Sequence, residues 1–246
     1  MLTSPEGATL KQRFVPGLCA ALCLAVLPAG AADAVTEAMQ AAYVPYRAAL
    51  FRTNGKAQPE AEQAIAQAQQ AWKAVAERYG SRPPAPYERD GQFAATIAQV
   101  AAVYERAAKQ AAARQLPEAH ATLEQVRDLM AELRRRNDVV VYSDAMNAYH
   151  AEMEQVLDDG AKLMAAPQGP MLLMARVGVM DYLAGRLRSE APAALLQDAD
   201  FSAHLQAVEA SVSALRAAVL GGDMAAVREA IGKLKGPYSR MFLKYG

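Results

Sequence analysis

Apolar residues recur along this chain at alternating spacings of four and three, and the same stripes return 108 residues further on. Ala61, Ile65, Ala68, Trp72, Val75 and Tyr79 form one stripe. Phe93, Ile97, Val100, Tyr104, Ala107 and Ala111 form a second, and Ala119, Leu123, Val126, Met130 and Leu133 a third. A period of about 3.6 puts each set on one side of an α-helix, whereas a half-buried strand would alternate at two. The four-three rhythm is also the seam needed by helices that pack nearly parallel. Moved by 108 residues, Phe93, Ile97, Val100, Tyr104 and Ala107 fall on Phe201, Leu205, Val208, Val212 and Leu215. The third stripe falls on Val227, Ile231, Leu234, Tyr238 and Met241, and Ile65, Trp72 and Tyr79 fall on Leu173, Met180 and Leu187. The first helices match with a one-residue slip, Ala38-Met39-Gln40-Ala41 against Ala145-Met146-Asn147-Ala148. Helix order and loop positions are kept as well as spacing, which points to a duplication.

The punctuation agrees. Asn54-Gly55 closes a first helix and Pro59 opens a second within its first turn. Gly80 to Pro86, with three prolines, and Gln115-Leu116-Pro117 mark the next two breaks. Asn137 to Tyr142 is the joint between the copies, with Ser143 the expected N-cap of the following helix. Mostly short loops make consecutive helices antiparallel neighbours. The expected fold is all-α: two tandem up-down-up-down four-helix bundles after a signal peptide. The expected divisions are 1–31 for the signal peptide, 32–138 for the first bundle and 139–246 for the second.

The signal peptide is read from Lys11 and Arg13, an apolar run from Phe14 to about Pro28, and the small-x-small cleavage pattern Ala29-Gly30-Ala31. That run is too short to span a bilayer, and no later segment is long and apolar enough to do so. The expected location is therefore periplasmic. Both cysteines, Cys19 and Cys23, lie within the signal segment, so a mature chain from Ala32 carries no thiol for catalysis, haem attachment or a disulfide. Lys plus Arg and Asp plus Glu are 26 each, a balance that argues against binding nucleic acid or an anionic membrane surface. Apolar residues at 53% suffice for a core.

An exported bundle of this length, occurring twice, resembles the cytochrome b562 and cytochrome c′ group. The resemblance is closest over Phe201 to Gly246, including the ending Leu234-Lys235 to Lys244-Tyr245. It implies a four-helix fold and a haem held between a Met early in the first helix and a His late in the fourth. Met39 and its repeat partner Met146 match the Met position and are the implied cofactor-binding residues. The His is missing: the fourth helices end Leu133-Arg134-Arg135-Arg136 and Arg240-Met241-Phe242-Leu243. The Cys-x-x-Cys-His attachment of the c′ proteins is missing too. On packing grounds Met39 and Met146 read as core residues.

Metal chemistry offers another route. Met146, His150, Met153 and Glu154 share one side of a helix, and imidazole, thioether and carboxylate together suit copper or another divalent ion. His120 and Glu124 form a second i, i+4 pair on the preceding helix. The competing reading is that each His–Glu pair merely supports its own helix. A di-iron bundle is discounted, because no Glu stands three residues before any His. Met164, Met171 and Met174 around one turn are a weak thioether signal. Arg134 to Arg136 read as a solvated cationic helix end. No hydrolase, phosphate-loop or dinucleotide motif is found. The expectation is a periplasmic metal- or haem-binding carrier without turnover, not an enzyme. Its cargo is copper or iron, ahead of haem b, and His150, Glu154, Met153, His120 and Glu124 are the metal ligands. The alternative is a periplasmic scaffold, adaptor or chaperone-like protein with no cofactor. The partner is accordingly a metal ion or a periplasmic protein, with dimerisation left open.

Overall fold

The computed structural model describes residues 33–55 and 57–246. The segment expected to be a signal peptide, with Lys11, Arg13, Cys19, Cys23 and the cleavage pattern, lies outside the described residues. The helices are α1 (Ala34–Thr53), α2 (Gln58–Tyr79), α3 (Phe93–Ala112), α4 (Leu116–Arg136) and α5 (Tyr142–Ala165). They continue as α6 (Gly169–Ser189), α7 (Ala193–Leu196), α8 (Ala199–Gly221), α9 (Met224–Gly232) and α10 (Lys235–Tyr245). A 3₁₀ turn at Tyr87–Arg89 sits in the proline-rich connection, and no strand occurs among the described residues. None of these helices is long and apolar enough to cross a membrane.

Local chemistry sets the helix ends. Asp33 caps α1 by accepting from the backbone N–H groups of Val35 at 3.0 Å and Thr36 at 2.9 Å. Asp198 and Asp223 do the same for α8 and α9. Gly222, at φ 71°, closes α8 in the left-handed conformation that a Cβ disfavours. The first residues of α2, α4 and α6 include a proline, where the missing N–H costs nothing.

The expected stripes are buried. Ile65, Trp72, Val100, Tyr104, Leu123 and Val126 are buried, and so are the residues 108 positions on, Leu173, Met180, Val208, Val212, Ile231 and Leu234. α1 lies against α2, α2 against α3, α3 against α4, and α4 returns to α1. α5 lies against α6, α6 against α8, and α8 against α9 and α10, which return to α5. α1 also touches α10, so the buried side chains of both sets join in one core. Burying stripes of this kind is the main stabilising term, roughly 1.5–3 kcal/mol for each large apolar side chain.

Three details differ from the sequence reading. The last stripe does not ride on one helix but on two, α9 and α10, separated near Lys233. Pro237 has no N–H to give the carbonyl of Lys233 and its ring would crowd that group, while Gly232 and Gly236 weaken the helix on both sides. The stripe nonetheless stays buried through Val227, Ile231, Leu234, Tyr238 and Met241. Ser143 does not cap α5, which begins one residue earlier. Asp144 instead accepts from the Val141 N–H at 3.1 Å while receiving Arg134 in a two-pronged ion pair. The Arg134–Arg136 run is not a uniformly solvated end. Arg134 is buried against Asp144, and Arg136 binds Asp90 at 3.0 Å and Thr96 at 3.0 Å. Only Arg135 is out in solvent, paired with Glu132.

The outward faces of α2 and of α6, whose stripe lies 108 residues further on, differ. α2 exposes Glu62, Gln63, Gln67, Gln70, Lys73 and Glu77, whereas α6 exposes Met171, Leu172, Val179 and Tyr182.

Candidate functional site

Both His–Glu pairs arise because residues four apart lie one above the other on a helix. On α4, His120 Nε2 is 3.4 Å from Glu124 Oε1, and on α5, His150 Nε2 is 3.4 Å from Glu154 Oε1. The fold brings α4 and α5 together beside the ends of α1 and α10. His120, Glu124 and His150 then face one notch with Arg127, Lys235 and Tyr238. Leu50, Phe51 and Phe242 supply its apolar wall.

The two pairs are wired oppositely. His120 Nδ1 lies 3.1 Å from the Leu50 carbonyl and 3.0 Å from Thr53 Oγ. A carbonyl only accepts, and the Thr53 hydroxyl spends its proton on the Ala49 or Leu50 carbonyl. His120 therefore carries its proton on Nδ1, which leaves the Nε2 lone pair facing the Glu124 carboxylate. His150 has the reverse arrangement. Arg127 Nη1 comes closest to Nδ1, at 2.6 Å, with Nε2 further off at 3.4 Å. A guanidinium only donates, so Nδ1 accepts and Nε2 is left as the ring's N–H, toward Glu154.

Arg127 is the hub. Its side chain is 7% exposed, it pairs with Glu124, and its guanidinium lies over the Phe242 ring at 5.1 Å. Burial opposes its charge, but Tyr46, Tyr238 and Glu124 outweigh that and hold its pKa above the ordinary arginine value. Burial pushes the His120 imidazole down, and Glu124 offsets this only in part, so the ring is held toward its neutral form. His150 and Lys235, at 3.4 and 3.2 Å from Glu154 Oε1, draw that carboxyl down to about 2 against a burial that would raise it.

Not every expected ligand reaches the notch. Met153 is fully buried in the core, as are Met146 and Met39. The carbonyl of Met146 accepts from the Tyr238 hydroxyl at 3.1 Å, a backbone contact that uses no thioether. Haem does not fit these residues: both Met side chains are enclosed by core packing, and no His stands near the end of α4 or in α9 and α10. The notch is also too small for it. Its free volume is about 30 Å³, room for one or two waters or a partly hydrated ion. Cofactor-sized ligands need roughly 300–1,000 Å³. Among the described residues no three His, Asp or Glu side chains gather so as to hold a metal ion by themselves. His204 pairs with Asp200 at 3.6 Å, beside Tyr245, away from the notch.

Arg127 and Lys235 were not among the residues anticipated from sequence. The signal for Arg127 lay in its place three residues after Glu124 and seven after His120, on the same helical face. Lys235 offered no such signal, since its helix begins only after a break. No described protein family, no curated protein and no solved structure is significantly similar to this chain.

Proposed function

We propose that this is an exported metal-binding or carrier protein without catalytic turnover. In this reading it is built as tandem four-helix bundles of the cytochrome b562 kind, residues 32–138 and 139–246, with the ion held at the junction of the two. One observation carries the reading. The His120–Glu124 pair of α4 and His150 of α5 line one notch whose volume suits an ion and little else. Imidazole nitrogen with carboxylate oxygen is a donor set for copper, zinc or iron rather than for magnesium or calcium. The test is elemental analysis of the mature protein, purified from periplasm without chelator or metal-binding tag. About one equivalent of copper, iron or zinc per chain is expected. Folded protein that neither carries these metals nor takes them up by dialysis sinks the reading.

A second reading, a helical adaptor, draws support from α6. Met171, at 62% exposure, and Tyr182, at 65%, lie on a face whose counterpart in α2 is polar. Met171→Glu with Tyr182→Glu is then expected to abolish co-purification of a periplasmic partner while metal content stays unchanged. Co-purification that survives both charges removes the support.

A further inference from the structure

α6 carries two seams with the same alternating spacing. Leu173, Val177, Met180, Ala184 and Leu187 form one and are buried in the core. Met171, Ala175, Gly178, Tyr182 and Gly185 form the other, and every one of them is exposed. Spacings of four and three are what one helix offers to another lying along it. Leu172 and Val179 widen this outer face, and Leu220 of α8 lies beside its Met171 end.

Nothing within the chain accounts for the second seam. At the positions 108 residues earlier, α2 exposes Gln63, Gln67, Gln70, Ala74 and Glu77, so an outward helix here has no need of an apolar face. A Cβ added at Gly178 or Gly185 would meet no neighbouring segment within 4 Å, and neither glycine has a positive φ. Glycine is a poor helix former, and its use in mid-helix is to let another backbone come close.

The face fits a copy of itself. Laid antiparallel about a twofold axis at Gly178, two α6 helices set Met171 against Gly185 and Tyr182 against Ala175, large against small. The two Gly178 backbones then approach each other. A parallel pair would set Met171 on Met171 and Tyr182 on Tyr182 and leave gaps at the glycines. The charges agree. Arg176, Asp181, Arg186 and Arg188 of α6 are each paired within their own chain, with Glu152, Arg216, Glu190 and Glu209. Two such faces meet with little net charge to repel them, while a charged partner of another kind finds no unpaired charge to hold.

We infer that the outer seam of α6 binds a second copy of this chain, helix against helix and antiparallel, as a twofold dimer. The inference rests on the face behind the adaptor reading and names what covers it. With 21 residues, α6 offers a contact about 31 Å long, at the small end of specific interfaces.

Sedimentation velocity of the full mature chain over a range of concentrations tests it. A monomer–dimer equilibrium with a dissociation constant of the order of micromolar to tens of micromolar is expected. Gly178→Gln, which installs the side chain that α2 carries at Gln70, should weaken the dimer at least about tenfold by filling the crossing point. The same change should leave the melting temperature of the monomer level or higher, because Gln is the better helix former. Direction is read by disulfide formation, since a mature chain from Ala32 has no thiol of its own. A mixture of Ala175→Cys and Tyr182→Cys chains should cross-link, and neither variant alone should do so. A wild-type monomer at every concentration overturns the inference and leaves the adaptor reading to its co-purification test. A dimer that Gly178→Gln does not weaken, an assembly larger than two, or Tyr182→Cys that cross-links to itself overturns it as well.

Discussion

α4 and α5 carry the same short motif, and the two copies are held differently. His120–Glu124 has its imidazole anchored to the backbone of α1 and its Nε2 lone pair exposed to a carboxylate. His150–Glu154 is stitched into a charge network with Arg127 on one side and Lys235 on the other. Nothing in the motif distinguishes them. The difference comes from what each ring's other nitrogen meets, and those partners sit elsewhere in the chain. A histidine paired with a carboxylate is thus poised or spent according to its second hydrogen bond.

The harshest way to break the comparison is to remove the hub. Arg127→Met leaves Glu124 half-buried without its cation and strips His150 of its donor. Breaking a buried pair from one side costs about 3–5 kcal/mol. A loss of about 3 kcal/mol is expected in urea unfolding, together with a shift of His150 toward the Nδ1–H tautomer. A stability change under about 1 kcal/mol means that the guanidinium is not the hub described.

Long-range nitrogen–proton NMR reads the two tautomers directly. His120 is expected to carry its proton on Nδ1, and Nδ1 of His150 to be the accepting nitrogen. Finding both rings in one form ends the contrast between the pairs.

The pairs also respond differently to acid. The His120 pKa is lowered on folding, so the unfolded chain takes up protons more readily, and stability falls as pH drops through about 6.5. Glu154 is lowered too, from 4.5 to about 2. Its contribution is complete above the unfolded value and is lost only as pH falls from there toward 2. His120→Gln should therefore flatten the melting-temperature profile as pH falls through about 6.5, and Glu154→Gln the limb below about 4.5. Parallel profiles for wild type and His120→Gln over the upper window count against a buried neutral ring.

The gentlest probe is Thr53→Val. It deletes one acceptor of the His120 N–H and leaves the Leu50 carbonyl in place, at a cost of about 1 kcal/mol by thermal or urea unfolding. A cost above about 3 kcal/mol indicates that Thr53, not the carbonyl, sets the ring.

Helix positions were legible because the apolar period is local and each stripe is long. Trp72 and Phe201 announce a buried face without knowledge of what covers it. The His–Glu pairs were legible for the same reason, as i, i+4 neighbours. Which pair has a free lone pair was not legible, because it depends on Leu50 and Thr53, distant along the chain from His120, and on Arg127, distant from His150. The break before α10 had its signals in Gly232, Gly236 and Pro237, but an unbroken apolar stripe masked them. Ser143 illustrates a competition that residue preferences do not resolve. A good capping residue lost to Asp144, whose carboxylate the buried Arg134 already held in place.

The break before α10 has a consequence for how the chain can be divided. Helix sets that each close on themselves can be cut apart. Here the last short helix serves both sets. It completes the second through α8 and α5, while Phe242 lies 6.2 Å from the Tyr43 ring of the first and its carbonyl accepts from Arg47 at 3.4 Å. Cutting the chain between α4 and α5 would strip cover from Tyr43 and Phe242. The polypeptide is a single piece rather than two that happen to be joined.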